Sequence, residues 1–206
     1  MTAIIDYGVG NLFSLGSSFR KIGEEAVVTA DADEIERAER IVLPGVGAFR
    51  DAAEKLRESG LIPVLEREIA KGKPLLGICL GMQLLFDKSF EYGEHPGLGW
   101  IHGEVRPIAE RVGKLKIPHM GWNALMLGDC VHPLLKYVRE GDCVYFVHSF
   151  SAVNCDESVI AATEYGAQLT AAVAKDNVMG CQFHPEKSGA VGLDILRAFC
   201  EMGVGL

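Results

Sequence analysis

Several features that would assign this chain to a large class of proteins are missing or scarce. Positive charge is in deficit, with 20 lysines and arginines against 28 aspartates and glutamates and a formal charge of -8. That balance argues against binding nucleic acid by neutralising its phosphates. No apolar run reaches the length of a membrane span, and the N-terminus lacks a basic region followed by an apolar core. The expectation is a cytoplasmic protein with no nucleic-acid or membrane partner. Cysteines number six, with no C-x-x-C pair and no zinc-finger spacing to histidine. A disulfide framework is not expected in a cytosolic chain of this size, and neither is a metal or cofactor. Cys79 aside, most of the cysteines read as small buried hydrophobes. No internal repeat, low-complexity segment or long linker interrupts the 206 residues, so residues 1–206 read as a single domain.

The first half alternates short apolar runs with helical patterns. Residues 2–6, 26–29, 40–43 and 75–78 read as strands. Between them, Leu12, Leu15, Phe19 and Ile22 recur at helical spacing up to Gly23, with Asn11 as a candidate N-cap. Further helices are expected over 33–38, 48–56 and 62–70. Strands alternating with helices imply right-handed crossovers and a mainly parallel sheet with helices on both faces. Ligands bind outside the carboxyl ends of the strands in such sheets. The second half changes character after the glycines at 93, 97 and 99. Strand-like runs at 99–108, 122–127, 143–149, 159–165, 169–175 and 178–183 suggest an antiparallel extension, with the last two as a hairpin. A helix over 193–199 closes the chain, with Leu196 and Phe199 toward the core. The fold class is α/β.

The most informative stretch is Gly77-Ile78-Cys79-Leu80-Gly81. It stands between an apolar strand and an apolar helical segment and has the G-x-nucleophile-x-G form of a nucleophile elbow. Glycines on both sides let the backbone bend and approach closely. A thiol raised on such a turn, at the start of a helix, favours thiolate. Near the end of the last strand stands Gln182-Phe183-His184-Pro185-Glu186. Of the six histidines, only His184 has a carboxylate two residues on at a strand end. Cys79 as nucleophile, His184 as base and Glu186 as its orienting partner then make a triad for attack on a carbonyl. The oxyanion formed needs donors. The backbone N–H of Leu80 is one, and the turn Pro44-Gly45-Val46-Gly47 is the natural source of a second, at Val46. The turn Tyr7-Gly8-Val9-Gly10-Asn11 lacks the Walker lysine and the third glycine of a dinucleotide fingerprint, so it reads as a site of tight packing or partner contact rather than of phosphate binding.

The elbow with Gln83, together with Phe183-His184-Pro185-Glu186, resembles the class I, triad-type glutamine amidotransferases. Pro44-Gly45-Val46-Gly47, Pro118-His119-Met120-Gly121-Trp122-Asn123 and Tyr145-Phe146-Val147-His148-Ser149 narrow the likeness. They resemble the glutaminase subunits of imidazole glycerol phosphate synthase, over nearly the whole chain. The resemblance implies a flavodoxin-like core with added antiparallel strands. It implies hydrolysis of glutamine to glutamate and ammonia through a thioester on Cys79, with the ammonia passed to a (β/α)8 cyclase subunit as heterodimer partner. It also implies that Gly47 and Gln83 line the glutamine pocket and that the Pro44-Gly45-Val46-Gly47 turn moves to complete the oxyanion hole. Asn11, Trp122, Asn123 and Lys187 are placed near the cyclase. Phe150 departs from a position where an aromatic hydroxyl is common, and Cys181 from one where a small aliphatic is usual. Three other readings stand beside this one: a glutaminase of the same class serving a different synthase, a non-catalytic module on the same fold, and a cysteine hydrolase of another substrate.

Overall fold

A computed structural model describes residues 1–128 and 131–203. Its first half is built from β1 (Thr2–Ile5), α1 (Leu12–Lys21), β2 (Ala26–Thr29), α2 (Ala32–Arg37), β3 (Arg40–Leu43), α3 (Phe49–Glu58), α4 (Ile62–Ala70), β4 (Leu75–Ile78) and α5 (Leu80–Leu84). Strands β5 (Lys88–Ser89), β6 (His95–Pro96), β7 (Glu104–Pro107), β8 (His119–Ala124), β9 (Met126–Leu127), β10 (Cys143–His148) and β11 (Phe150–Val153) follow. The chain closes with β12 (Val159–Glu164), β13 (Gln168–Lys175), β14 (Val178–Cys181) and α6 (Gly189–Cys200).

The main sheet has eight strands in the order β2-β1-β3-β4-β14-β13-β12-β9. The five from β2 to β14 run parallel, and β13, β12 and β9 continue the sheet antiparallel. Alternation along the strands builds two cores. Ala3, Ile5, Ile41, Leu43 and Leu75 face Ile35 of α2 and Phe49, Ala52 and Leu65 of α3 and α4. Ile4, Val42, Leu76 and Ile78 face Leu15 and Phe19 of α1 and Ile195, Leu196 and Phe199 of α6. A run such as Arg40–Leu43 is apolar at consecutive positions because both faces of a parallel sheet are covered. The α/β class, the parallel core with helices on both faces and the antiparallel extension agree with the sequence reading.

The second half departs from it in detail. Strand β14 pairs with β13 as the expected hairpin, but it also enters the core parallel to β4, with Cys181 opposite Ile78. The expected strand over 99–108 shortens to β7, because Gly99 and Gly103 sit at φ +67 and +134, outside the β region. The run over 122–127 splits at buried Leu125: β8 pairs with β10 in a two-stranded ribbon, and β9 joins the main sheet. Strands β5, β6 and β11 have no signal in the sequence pattern, and with β7 they form a separate sheet in the order β11-β7-β5-β6. Asn11 occupies the N-cap position of α1 but makes no side-chain cap bond, whereas Asp31 accepts the Glu34 N–H at 3.0 Å and caps α2. No described helix is long and apolar enough to cross a membrane.

Candidate active site

The elbow is held by lack of space. Cys79 lies at φ +56, ψ -111, where a residue with a Cβ costs of order 1–3 kcal/mol. A Cβ on Gly77 would stand 2.8 Å from Gly81 O, and one on Gly81 would stand 1.9 Å from Leu43 O. The end of β3 therefore lies directly on the first turn of α5. The following turn is wedged there too: a Cβ on Gly45 would meet Gly81 N at 2.6 Å. By contrast, Gly47 at φ +91 has nothing within 4 Å of such an atom, and Val46 is exposed. Leu80 opens α5, so its N–H has no acceptor within the helix. Helix α5 is only five residues long, so its dipole gives a thiolate less support than a longer helix would.

Strand β14 delivers the second part of the site. The Cys79 N–H donates to Cys181 O at 2.8 Å, so β4 and β14 end side by side. Three residues past Cys181, the chain turns through Pro185–Lys187. The turn is pinned from the two-stranded ribbon: the His184 N–H donates to Tyr145 O (2.9 Å), and the Ser188 hydroxyl donates to His184 O (2.6 Å) while accepting the Tyr145 N–H (3.0 Å). His184 Nδ1 lies 2.8 Å from Glu186 Oε1, and both side chains are buried. Burial works against a charged ring, but hydrogen bonding and charge at Cys79 and Glu186 outweigh it and raise the His184 pKa to about 9. The ring is thus cationic at neutral pH, between a carboxylate and a sulfur. Glu186 Oε2 is buried with no partner among the described residues.

A cavity of about 380 Å³ opens over these groups. Cys79, His184, Leu80, Val46, Gly47 and Gln83 all line it. Glu186 stands behind His184, outside the wall. The structure adds walls that the sequence pattern does not announce: Glu91, Tyr92, Pro118 and the segment 147–150. Glu91 and Tyr92 sit in an irregular stretch with no periodicity to mark them; Glu91 accepts the Phe49 N–H, and Tyr92 lies edge-on to Phe150 at 6.1 Å. His148 is buried and also reaches the cavity. Its Nδ1 lies 2.8 Å from Phe150 O and its Nε2 lies 3.0 Å from His119 Nδ1. His119 is stacked between Phe146 and Tyr165, at 4.8 and 4.1 Å.

The residues proposed from resemblance for a partner face do not all point the same way. Trp122 is exposed and edge-on to Tyr145 at 6.2 Å, and Lys187 Nζ lies 5.8 Å above the same ring. Met120, two residues from Trp122 on β8, is exposed as well. Asn123 is turned inward by strand alternation: its Nδ2 donates to Glu164 O at 2.7 Å and lies 3.4 Å from His119 Nε2. Asn11 is half-buried at the start of α1, a helix that touches the Pro185–Lys187 turn. Among the other cysteines, Cys155, Cys181 and Cys200 are buried as expected, whereas Cys143 is exposed. Cys130 lies outside the described residues.

Comparison with known proteins gives the class first. The family model for glutamine amidotransferase class-I matches residues 3–201, and the chain belongs to that family. Curated relatives narrow it to the HisH branch. The chain is 53% identical over 205 residues to the imidazole glycerol phosphate synthase subunit HisH of Geobacter sulfurreducens, covering 97% of this chain and 98% of that one. It is 49% identical over 199 residues to the subunit of the same name from Lactococcus lactis, covering 96% of each. A chain in the solved structure of PurLQS from Thermotoga maritima shares the fold, with a TM-score of 0.76 at 21% identity over 97% of this chain and 96% of that one.

Proposed function

We propose that this chain hydrolyses glutamine to glutamate and ammonia and passes the ammonia to a (β/α)8 cyclase subunit. The cyclase uses it to make imidazole glycerol phosphate and aminoimidazole carboxamide ribotide in histidine biosynthesis. The observation that carries the reading is the meeting of Cys79 and the cationic His184 in one cavity of amino-acid size. In this mechanism the Cys79 thiolate attacks the side-chain amide carbon. The oxyanion is taken by the N–H groups of Leu80 and Val46. His184 gives its proton to the departing nitrogen, which leaves as ammonia, and a thioester remains. His184, now neutral, takes a proton from water as it attacks. Collapse of the second tetrahedral intermediate releases glutamate and restores the thiolate. Glu186 holds the imidazole and balances its charge.

Gln83 and Gly47 take the glutamine, and the Glu91 carboxylate offers its α-ammonium group a partner. With Gly45 wedged and Gly47 free, the mobile part of the oxyanion turn reduces to Val46 and Gly47. Trp122 and Lys187, with Asn11, are assigned to the cyclase interface, whereas Asn123, turned inward, supports it from behind through Glu164 O and His119. The protein works in the cytoplasm as one domain over residues 1–206. Cys79→Ala tests the reading. Glutamine-dependent synthesis by the complex is expected to vanish while ammonia-dependent synthesis continues. Glutamine-dependent synthesis that survived the change would show that another group is the nucleophile.

A further inference from the structure

Gln182 is wholly buried, one residue past β14 and two before His184. It does not line the cavity. Its side-chain amide nevertheless lies between two residues that do: Gln182 Oε1 accepts from Gln83 Nε2 at 2.9 Å, and Gln182 Nε2 lies 3.7 Å from Cys79 Sγ. A single backbone carbonyl settles which way both amides face. Phe150 O can only accept, and Gln83 meets it at 3.2 Å, so the Gln83 atom there is the nitrogen. The second hydrogen of that nitrogen then goes to Gln182, whose facing atom must be its oxygen. The Gln182 NH2 is thereby left toward the sulfur. The same carbonyl is held from the other side by His148 Nδ1 at 2.8 Å. Both Gln83 hydrogens are used inside the protein, which leaves Gln83 Oε1 as the acceptor available to the cavity.

The structure assigns Gln182 a direct part in catalysis: its amide N–H holds the Cys79 sulfur in its anionic form, opposite the imidazolium of His184. A donor aimed at a charged atom favours the charged form. The sulfur is anionic twice in the cycle, before it attacks the amide and when the thioester breaks, so one donor serves both steps. The assignment rests on the glutaminase reading for its place in turnover, but the contact between Gln182 and the sulfur can be tested without glutamine.

The test uses Gln182→Glu in the full chain with its cyclase partner. Glutamate keeps the oxygen that Gln83 needs and removes the donor. Glutamine-dependent kcat is expected to fall about 10- to 100-fold, the range for loss of a hydrogen bond to an ionised group. KM should stay within about threefold, because Gln83 and the cavity wall are undisturbed. Alkylation of Cys79 by iodoacetamide at neutral pH should slow by about tenfold or more. Gln182→Met, which keeps the length without donor or carboxylate, is the second variant should Gln182→Glu fail to fold, and its alkylation should slow likewise. Alkylation unchanged within twofold in a folded variant, or a loss confined to KM, overturns the assignment and leaves Gln182 a packing residue. If the wild-type complex alkylates at Cys79 yet does not hydrolyse glutamine, the glutaminase reading fails while the alkylation comparison still decides the role of Gln182.

Discussion

His184 and His148 share one cavity wall and carry different charges at neutral pH. His184 has a carboxylate on Nδ1 and is raised to about 9. Burial is the main cause that holds His148 down at about 4: its Nδ1 has only a neutral carbonyl as acceptor, and the His119 ring faces its other nitrogen. Their linkage to stability has opposite signs. His148 is depressed on folding, so its neutral form contributes stability at pH above the unfolded value of about 6.5, lost as pH falls from there to about 4. That separation corresponds to roughly 3 kcal/mol. His119, also lowered by burial, acts in the same direction. His184 contributes stability at pH below about 6.5 that is lost as pH rises toward about 9. Urea unfolding at pH 7.5 and 4.5 is expected to show a smaller loss on acidification for His148→Gln than for the natural protein. Equal losses would mean that His148 is not what acid attacks. At this scale the sequence singled out His184 from its five rivals by a carboxylate two residues on at a strand end; His102 also has Glu104 two residues on, but stands in an irregular stretch. The sequence held no sign of the His119–His148 pair, because those residues are 29 apart and meet only through the pairing of β8 with β10.

The elements around the elbow are fixed by glycines that differ in their reasons. Gly81 is needed for space: Ala there would drive a Cβ to 1.9 Å from a backbone carbonyl oxygen that cannot move without β3. Gly81→Ala is expected to cost about 3 kcal/mol or more, the upper range for overpacking, and to abolish glutamine hydrolysis through displacement of Cys79. Gly16 is the opposite case. It lies within α1, and its added Cβ would meet only Arg20 Nη1, at 3.8 Å. Gly16→Ala should stabilise by about 0.5–1 kcal/mol, the helix preference of alanine. Thermal melts of the two variants decide both points; a Gly81→Ala protein as stable as the natural one would mean that the elbow is not wedged against β3. Helix and strand positions in the first half were legible because each segment carries its own periodicity and stop signal. The break at Leu125 and strands β5, β6 and β11 were not, because short strands are defined by partners far along the chain rather than by their own pattern.

Across the whole molecule, the exposed Trp122 with Tyr145, Lys187 and Met120 forms an aromatic and cationic patch on the ribbon that also pins His184. An exposed tryptophan at the centre of an interface is the kind of residue that carries binding energy. Trp122→Ala is expected to weaken association with the proposed cyclase partner at least tenfold, about 1.4 kcal/mol, and to lower glutaminase stimulation at limiting partner. Titration calorimetry measures the first and ammonia release the second; unchanged affinity would move the interface elsewhere. The sequence by itself determined the α/β class and the family, and singled out the elbow at Cys79 and His184 with Glu186 as the candidate triad, because these reside in local patterns of glycine, apolar period and neighbouring charge. Only the tertiary structure decided that β14 runs parallel beside β4, which brings residues 79 and 184 together. It alone placed Glu91, Tyr92 and the segment 147–150 around the cavity and turned Asn123 inward. It alone oriented Gln83 and Gln182 through the Phe150 carbonyl. The physical reason is that these contacts join residues tens of positions apart. Their geometry is set by strand order and by the requirement that buried polar groups find partners.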